Sequence, residues 1–251
     1  MGSGAVMLAL GLGAVALGGH VFHAFIAIVC GAMLWELVRM LAPADPGAAL
    51  RLGVLAGAAS LAAGYLPLIW TLPLLLAPVL VGLSHVTAHR GLFVAFGTAV
   101  LLAGWEMTTL RDDFGFVWML WLALVVVATD VAGYFAGRLI GGPRFWPRIS
   151  PKKTWAGTVG GWIAAALVGL GFAVHAGGGA VLVLVSVAMS FASQLGDIWE
   201  SAIKRRVGVK DSSNLIPGHG GVLDRFDGML GASIFLLVAT LFFTLPQGFA
   251  P

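Results

Sequence analysis

Residues 116–137 read FVWMLWLALVVVATDVAGYFAG, an apolar run interrupted by one formal charge, Asp130. About 20 predominantly apolar residues suffice to cross a bilayer as a helix, so this stretch reads as a membrane span. The same pattern recurs outward in both directions. Met1 to Val38 contains no Lys or Arg, and its one formal charge is Glu36. That is too long for one span, and Gly18-Gly19-His20 offers a break, so two helices are expected. Leu52 to Ser84 is free of charge, and Gly64, Pro67 and Pro73 can divide it into two short helices. Gly91 to Thr109 is one span containing Glu106. Thr154 to Gly196 is uncharged, and Gly177-Gly178-Gly179 divides it in two. Gly228 to Leu245 is the last. The expectation is an all-α, polytopic integral membrane protein of about nine transmembrane helices. The first resembles a signal-peptide core in length but lacks a basic leader, so it is read as a retained span.

The composition agrees. Of 251 residues, 59% are hydrophobic and 10% charged, and the mean hydropathy is +0.99. Soluble domains carry about 25% charged residues. A cytosolic enzyme, a nucleic-acid-binding module and a disordered tail are excluded. The single cysteine, Cys30, excludes an internal disulfide framework and a Cys-rich metal site. With nine alternating spans, Arg111 alone among the 14 Lys and Arg residues falls on the opposite side from the rest. The basic side is the cytoplasm, which puts the N-terminus inside.

Charge concentrates between Asp130 and Asp227, which hold 10 basic and 6 acidic residues. Asp130 lies deep in its span, where a carboxylate costs about 2.5–3.5 kcal/mol on insertion scales. It needs a cavity, a cation or a basic partner, and Arg138, two turns on, is the structural candidate. Asp197 and Ser201 are spaced i,i+4, so both oxygens leave one helical face, a half-site for a hard cation. Lys204-Arg205-Arg206 alone would be a snorkelling helix end. The stretch Lys210–Asp227 contains Gly218, His219, Gly220 and Gly221, whose backbone can approach an anion. Asp224 and Asp227, spaced i,i+3, can hold a divalent ion or cap the helix that follows. His219 can donate to phosphate, act as acid or base, or merely tie the loop. Lys152 and Lys153 precede the helix beginning near Thr154, where anchoring and anion binding are both open. Acidic clusters for a metal beside basic and glycine-rich stretches for a polyphosphate are the parts of a metal-assisted phosphoryl or nucleotidyl transferase. No G-x-x-x-x-G-K-[ST] or H-E-x-x-H sequence is present.

The run Ser201-Ala-Ile-Lys204-Arg205, Lys210-Asp211-Ser-Ser213, Pro217-Gly218-His219-Gly220-Gly221-Val-Leu-Asp224-Arg225-Phe-Asp227 resembles the signature of the phosphatidate cytidylyltransferase (CDP-diacylglycerol synthase) family. Thr129-Asp130-Val-Ala-Gly-Tyr134-Phe-Ala-Gly137-Arg138 and Ile149-Ser150-Pro151-Lys152-Lys153-Thr154-Trp155 look like two further motifs of that family. Thr129 stands where the family usually has Ser, and Ala156 where it usually has Glu. Before residue 128 the resemblance rests on features as slight as Trp35-Glu36. It implies one integral membrane domain over 1–251, with a mostly apolar helical scaffold over 1–128 and a catalytic motif region over 129–231. The reaction it implies joins CTP and phosphatidate into CDP-diacylglycerol and pyrophosphate with Mg²⁺ at the cytoplasmic face of the inner membrane. It leaves open whether a monovalent cation accompanies the Mg²⁺, and it implies a homodimer. By the same resemblance Asp197, Asp224, Lys204 and His219 are catalytic, and Asp197, Asp224, Ser201 and Asp227 hold metal. Asp130, Arg138, Lys152, Lys153, Ser201, Arg205, Lys210, Gly220, Gly221 and Arg225 would bind substrate. A CTP-dependent polyprenol kinase and an ion-coupled transporter are the competing readings; the second would spread its acids through the membrane depth.

Overall fold

A computed structural model describes residues 2–176, 179–242 and 244. Nine α-helices run through the described residues: α1 (Gly2–Leu17), α2 (Gly19–Leu41), α3 (Pro46–Ala63), α4 (Leu68–Gly82), α5 (Arg90–Phe114), α6 (Phe116–Leu139), α7 (Trp155–Ala176), α8 (Gly179–Arg206) and α9 (Leu223–Ala239). Six of them, α2, α3, α5, α6, α7 and α8, are long and apolar enough to cross a membrane. The all-helical membrane architecture expected from the charge gaps is therefore present. Large side chains such as Ile69, Trp70, Leu139 and Leu167 lie exposed on helix surfaces, a pattern suited to a lipid rather than an aqueous solvent.

The breaks follow local chemistry. Gly18, with φ +63°, separates α1 from α2. Asp45 caps α3 by accepting from the Ala48 N–H at 2.8 Å, with Pro46 in the first turn. Gly64 and Pro67 end one helix and begin the next, but the chain continues as helix through Pro73 and Pro78. Proline breaks a helix in water, where the freed carbonyl is solvated; an apolar surround gives that alternative no support. Gly177 and Gly178 lie outside the described residues, as does most of the expected C-terminal span beyond Phe242.

One element departs from an all-helical reading. β1 (Arg144–Trp146) and β2 (Ser150–Thr154) pair antiparallel, Arg144 opposite Thr154 and Trp146 opposite Ser150. The hairpin ends where Thr154 Oγ1 accepts from the Gly157 N–H at 3.1 Å, capping α7.

The chain divides into two compact units, Met1–Asp113 with Ile203–Phe226, and Phe114–Ala202 with Asp227–Pro251. In the first, α2 and α3 cross where side chains are smallest. A Cβ on Gly31 would stand 2.8 Å from the Gly53 carbonyl oxygen, and one on Gly57 would stand 3.0 Å from that of Ala27. Arg111, the basic residue on the wrong side, has a local purpose here. Its Nε donates to the Val15 carbonyl at 2.7 Å and its Nη2 to Ala16 at 3.4 Å, capping the C-terminus of α1. In the second unit α6 and α7 touch backbone to backbone: a Cβ on Gly157 would stand 2.6 Å from the Gly133 carbonyl oxygen. α8 meets α9 through Gly196 and Gly231, where any Cβ would collide with the facing backbone. These crossings seat α6 against α7 and α8 against α9 within the second unit.

Candidate active site

The two units divide the expected site residues. Asp130, Arg138, Lys152, Lys153, Asp197, Ser201 and Asp227 fall in one; Lys204, Arg205, Lys210, His219, Gly220, Gly221, Asp224 and Arg225 fall in the other.

In the unit containing α6 and α7, a cavity of about 450 Å³ opens between α6, β2, α7 and α8, lined among others by Asp130, Arg138, Lys152, Lys153 and Asp197. The hairpin carries Lys153 across to α8, where its Nζ stands 2.6 Å from Asp197 Oδ2 and 3.4 Å from the Gln194 carbonyl oxygen. Ser201 Oγ donates to Asp197 Oδ1 at 3.2 Å, as the i,i+4 spacing leads one to expect. Asp130 and Asp227 both lie within the electrostatic reach of Asp197 and Lys153. Three carboxylates and one ammonium thus share one neighbourhood. Among the described residues, no group of three or more His, Cys, Asp or Glu side chains converges as a metal site. Arg138 donates to the Tyr134 hydroxyl at 2.7 Å, one turn back on its own helix. Thr129 Oγ1 donates to the Val125 carbonyl at 2.7 Å and lies 2.8 Å from Ser190 Oγ, a role that Ser could fill equally. Gln194, which sequence reasoning passed over, joins the walls by accepting from Trp162 Nε1 at 3.1 Å and donating to the Thr158 carbonyl at 3.2 Å.

In the unit containing α2, Asp224 sits in the first turn of α9 with both oxygens engaged. Oδ1 meets Lys204 Nζ at 2.5 Å; Oδ2 accepts from the N–H of Ser212 at 2.9 Å and of Gly221 at 2.7 Å, with Ser212 Oγ at 2.9 Å. Burial raises the cost of its charge, but the Lys204 ammonium and these two N–H groups outweigh it and hold the carboxyl at about 2. The loop is folded around this carboxylate. The His219 N–H donates to Ile216 and the Ile216 N–H to Gly220, closing a tight turn through Gly218 and Gly220, both at positive φ. Arg225 clasps the turn by donating from Nε (2.9 Å) and Nη2 (2.6 Å) to the His219 carbonyl. In this structure the Gly221 and His219 N–H groups therefore serve the loop itself. Arg205 and Lys210 are exposed.

Glu36 is the residue sequence reasoning undervalued. It is fully buried, and its carboxylate accepts from Ser213 Oγ and from the N–H groups of Val222 and Leu223. The signal was available: a lone acid in a membrane span is functional by default, the rule already applied to Asp130.

The chain also resembles known proteins. Phosphatidate cytidylyltransferases of Brucella suis biovar 1 (strain 1330), Helicobacter pylori (strain J99 / ATCC 700824) and Bacillus subtilis (strain 168) are 45%, 43% and 41% identical to it. The matches extend over 161, 132 and 128 residues, or 62%, 52% and 50% of this chain and 58%, 49% and 48% of those proteins. The chain thus spans about half the length of the curated relatives it matches. A family pattern described as the Cytidylyltransferase family matches residues 1–243, nearly the whole chain, including both sets of site residues. On that match the chain belongs to the cytidylyltransferase family.

Proposed function

We propose that the protein is a phosphatidate cytidylyltransferase (EC 2.7.7.41). It joins CTP and phosphatidate into CDP-diacylglycerol and pyrophosphate for phospholipid synthesis. An oxygen of the phosphatidate phosphate attacks the α-phosphorus of CTP, and the bond to the β-phosphate breaks. The observation that carries this reading is the cavity lined by Lys152 and Lys153 together with Asp130 and Asp197, with Asp227 within electrostatic reach of that pair of acids, on helices fit to span a membrane.

The attacking phosphate monoester is largely dianionic at neutral pH, with a second pKa of about 6. It needs little help from a base. The enzyme's task is to screen two polyanions and hold them in line. Lys152, Lys153 and Arg138 face the cavity and supply the positive charge for phosphate oxygens. Asp197, Ser201 and Asp227 offer only hard oxygen donors, and an ammonium already stands against Asp197 where a cation would be drawn. That donor set fits Mg²⁺, which binds through one or two carboxylates and keeps its remaining positions for water and phosphate. When bound, the ion would neutralise charge on the phosphates of CTP. Asp224 also belongs to the metal set by resemblance; here its work is to order the loop carrying Lys204, His219 and Arg225. A monovalent cation beside Mg²⁺ and a homodimeric assembly are further expectations of the same reading.

The deciding assay is pyrophosphate release that requires both CTP and phosphatidate and stops on chelation by EDTA. Label from α-phosphate in the lipid product identifies nucleotidyl transfer; label from γ-phosphate would identify a kinase and reject the proposal.

The lysine pair separates phosphate binding from membrane anchoring. Lys153→Arg is expected to cut kcat/KM at least tenfold, because a planar fork cannot replace a point charge against Asp197 Oδ2 and Gln194. Lys152→Arg, at an exposed position, is expected to cost several-fold. Unchanged kinetics in both and in their double variant would return the pair to anchoring.

We also propose that the basic ends of the helices face the cytoplasm of the inner membrane, with all nine helices spanning and the N-terminus inside. In a Cys30→Ser background, a cysteine at position 113 should label from outside and one at the exposed loop position 214 from the cytoplasm once the membrane is opened. Labelling of both from one side contradicts this topology.

A further inference from the structure

Glu36 presents a cost that α2 alone does not explain. It lies inside a helix long and apolar enough to cross a membrane, and its side chain has no exposure to solvent. Insertion of α2 would be easier with Leu at this position. The carboxylate is instead satisfied by donors from far along the chain. Oε1 accepts from Ser213 Oγ at 2.5 Å and from the Val222 N–H at 2.9 Å. Oε2 accepts from the Leu223 N–H at 2.7 Å and lies 3.1 Å from Ser212 Oγ. Two of these donors are N–H groups at the start of α9, where a helix favours negative charge. The other two are hydroxyls from the middle of the loop between α8 and α9. One carboxylate thus ties the loop at its middle and at its end.

The contact reaches the charged residues in one step. Ser212 Oγ lies between Glu36 Oε2 and Asp224 Oδ2, at 3.1 and 2.9 Å, while its N–H holds the same Asp224 oxygen. Its single hydroxyl proton serves one carboxylate at a time. Asp224 in turn holds Lys204. Gly221 leaves room for this arrangement, since a Cβ there would run into Ser212 Oγ and Glu36 Oε1.

We infer that Glu36 is a positioning residue: a buried carboxylate on α2 that clamps loop 207–222 against the start of α9 and so sets Asp224 and Lys204 for the reaction. The effect on activity rests on the proposed cytidylyltransferase reading; the clamp rests on the hydrogen bonds alone.

The test uses the full chain in detergent–lipid micelles, with Glu36→Gln, Ser213→Ala and the double variant. One readout is maleimide labelling of Asn214→Cys, an exposed loop position; the native Cys30 is buried. The other is pyrophosphate release with CTP and phosphatidate. Glu36→Gln is expected to label at least tenfold faster at position 214 and to lose at least tenfold in kcat, with KM for CTP changed less than threefold. Ser213→Ala should show the same two effects, each smaller, and the double variant should fall no further than Glu36→Gln, because both break one unit. A general folding defect would instead add the two losses and lower the melting temperature of the whole protein. That result, or an unchanged labelling rate, overturns the clamp. If Glu36→Gln does not fold, the milder Ser213→Ala decides by the same readouts. If the unaltered protein releases no pyrophosphate, the cytidylyltransferase reading fails, while the labelling rates still decide the clamp.

Discussion

Asp197→Asn should reduce turnover at least a hundredfold while the protein still inserts and folds. The carboxylate has two partners, Lys153 on Oδ2 and Ser201 on Oδ1. An amide keeps one acceptor oxygen and turns an N–H₂ towards a donor, so one partner is lost and the Lys153 ammonium loses the carboxylate it touches, keeping only the more distant Asp130 and Asp227. The Lys153–Asp197 pair is partly open, with side chains 25% and 33% exposed, so its loss costs little in stability. Turnover depends instead on how the pair holds its charges at the cavity, and a hundredfold loss corresponds to about 2.7 kcal/mol in the barrier. Loss of a metal ligand would add to this. Stability should change little, since the α8–α9 crossing rests on Gly196 and Gly231 rather than on the carboxylate. The measurement is kcat of the purified variant at saturating Mg²⁺, beside its melting temperature. Near-normal turnover would remove Asp197 from the reaction.

Asp224→Asn is expected to have a comparable effect on turnover and a larger one on structure. Two carboxylate oxygens here organise Lys204, Ser212 and Gly221, and the Lys204 side chain is only 12% exposed. Asn can satisfy one side of that set, leaving either the ammonium or the loop N–H groups without an acceptor. This pair is the more buried, with side chains 12% and 8% exposed, so the cost is about 3–5 kcal/mol, and it falls on the loop that the proposed mechanism uses. Faster proteolysis within 207–222 should accompany the loss of activity. The pH dependence has a definite sign. A carboxyl held at about 2 in the folded loop stabilises it fully above the ordinary Asp value near 3.8. That stability disappears as pH falls through about 2. The unaltered loop should therefore keep its proteolytic resistance down to about pH 4 and lose it below. Asp224→Asn should lack this acid transition. An identical acid profile in the two proteins would show that Asp224 does not hold the loop.

The helices were legible because charge is so scarce in this chain. Fourteen Lys and Arg punctuate it, and the long gaps between them hold one or two helices each, with breaks at Gly18 and Gly64 as expected. Pro73 misled because its penalty was taken from aqueous helices. The β1–β2 hairpin left no trace, since three residues such as Arg144-Phe145-Trp146 carry no period. Its consequence for the site is large, as it aims Lys153 at Asp197. Spacing within one helix was readable, and Asp197 and Ser201 do share a face, where Ser201 Oγ donates to Asp197 Oδ1. Contacts across elements were not: nothing in Trp35-Glu36 indicates that its acceptors serve hydroxyls some 176 residues on. The Lys210–Asp227 loop was recognised from residue type, yet its glycines and N–H groups were expected to face an anion supplied from outside. In the structure the Ser212 and Gly221 N–H groups meet Asp224, the Val222 and Leu223 N–H groups meet Glu36, and those of Ile216 and His219 meet backbone carbonyls, pairings that depend on long-range folding rather than on composition.

The backbone contact between α6 and α7 bears on how the protein meets bilayers of different thickness. Where Gly133 faces Gly157 the two backbones meet directly, with no side chain between them to repack. Sliding one helix along the other would drive a Cβ or a carbonyl into the opposing backbone. A thinner or thicker bilayer must then be accommodated by tilting the pair as a rigid plate, at fractions of a kcal/mol per ångström of mismatch. Asp130 rides on α6, and Lys153 is joined to the start of α7 through Thr154. Their spacing is thereby insulated from lipid chain length. A membrane whose thickness drifts with growth temperature should therefore leave this charge geometry intact.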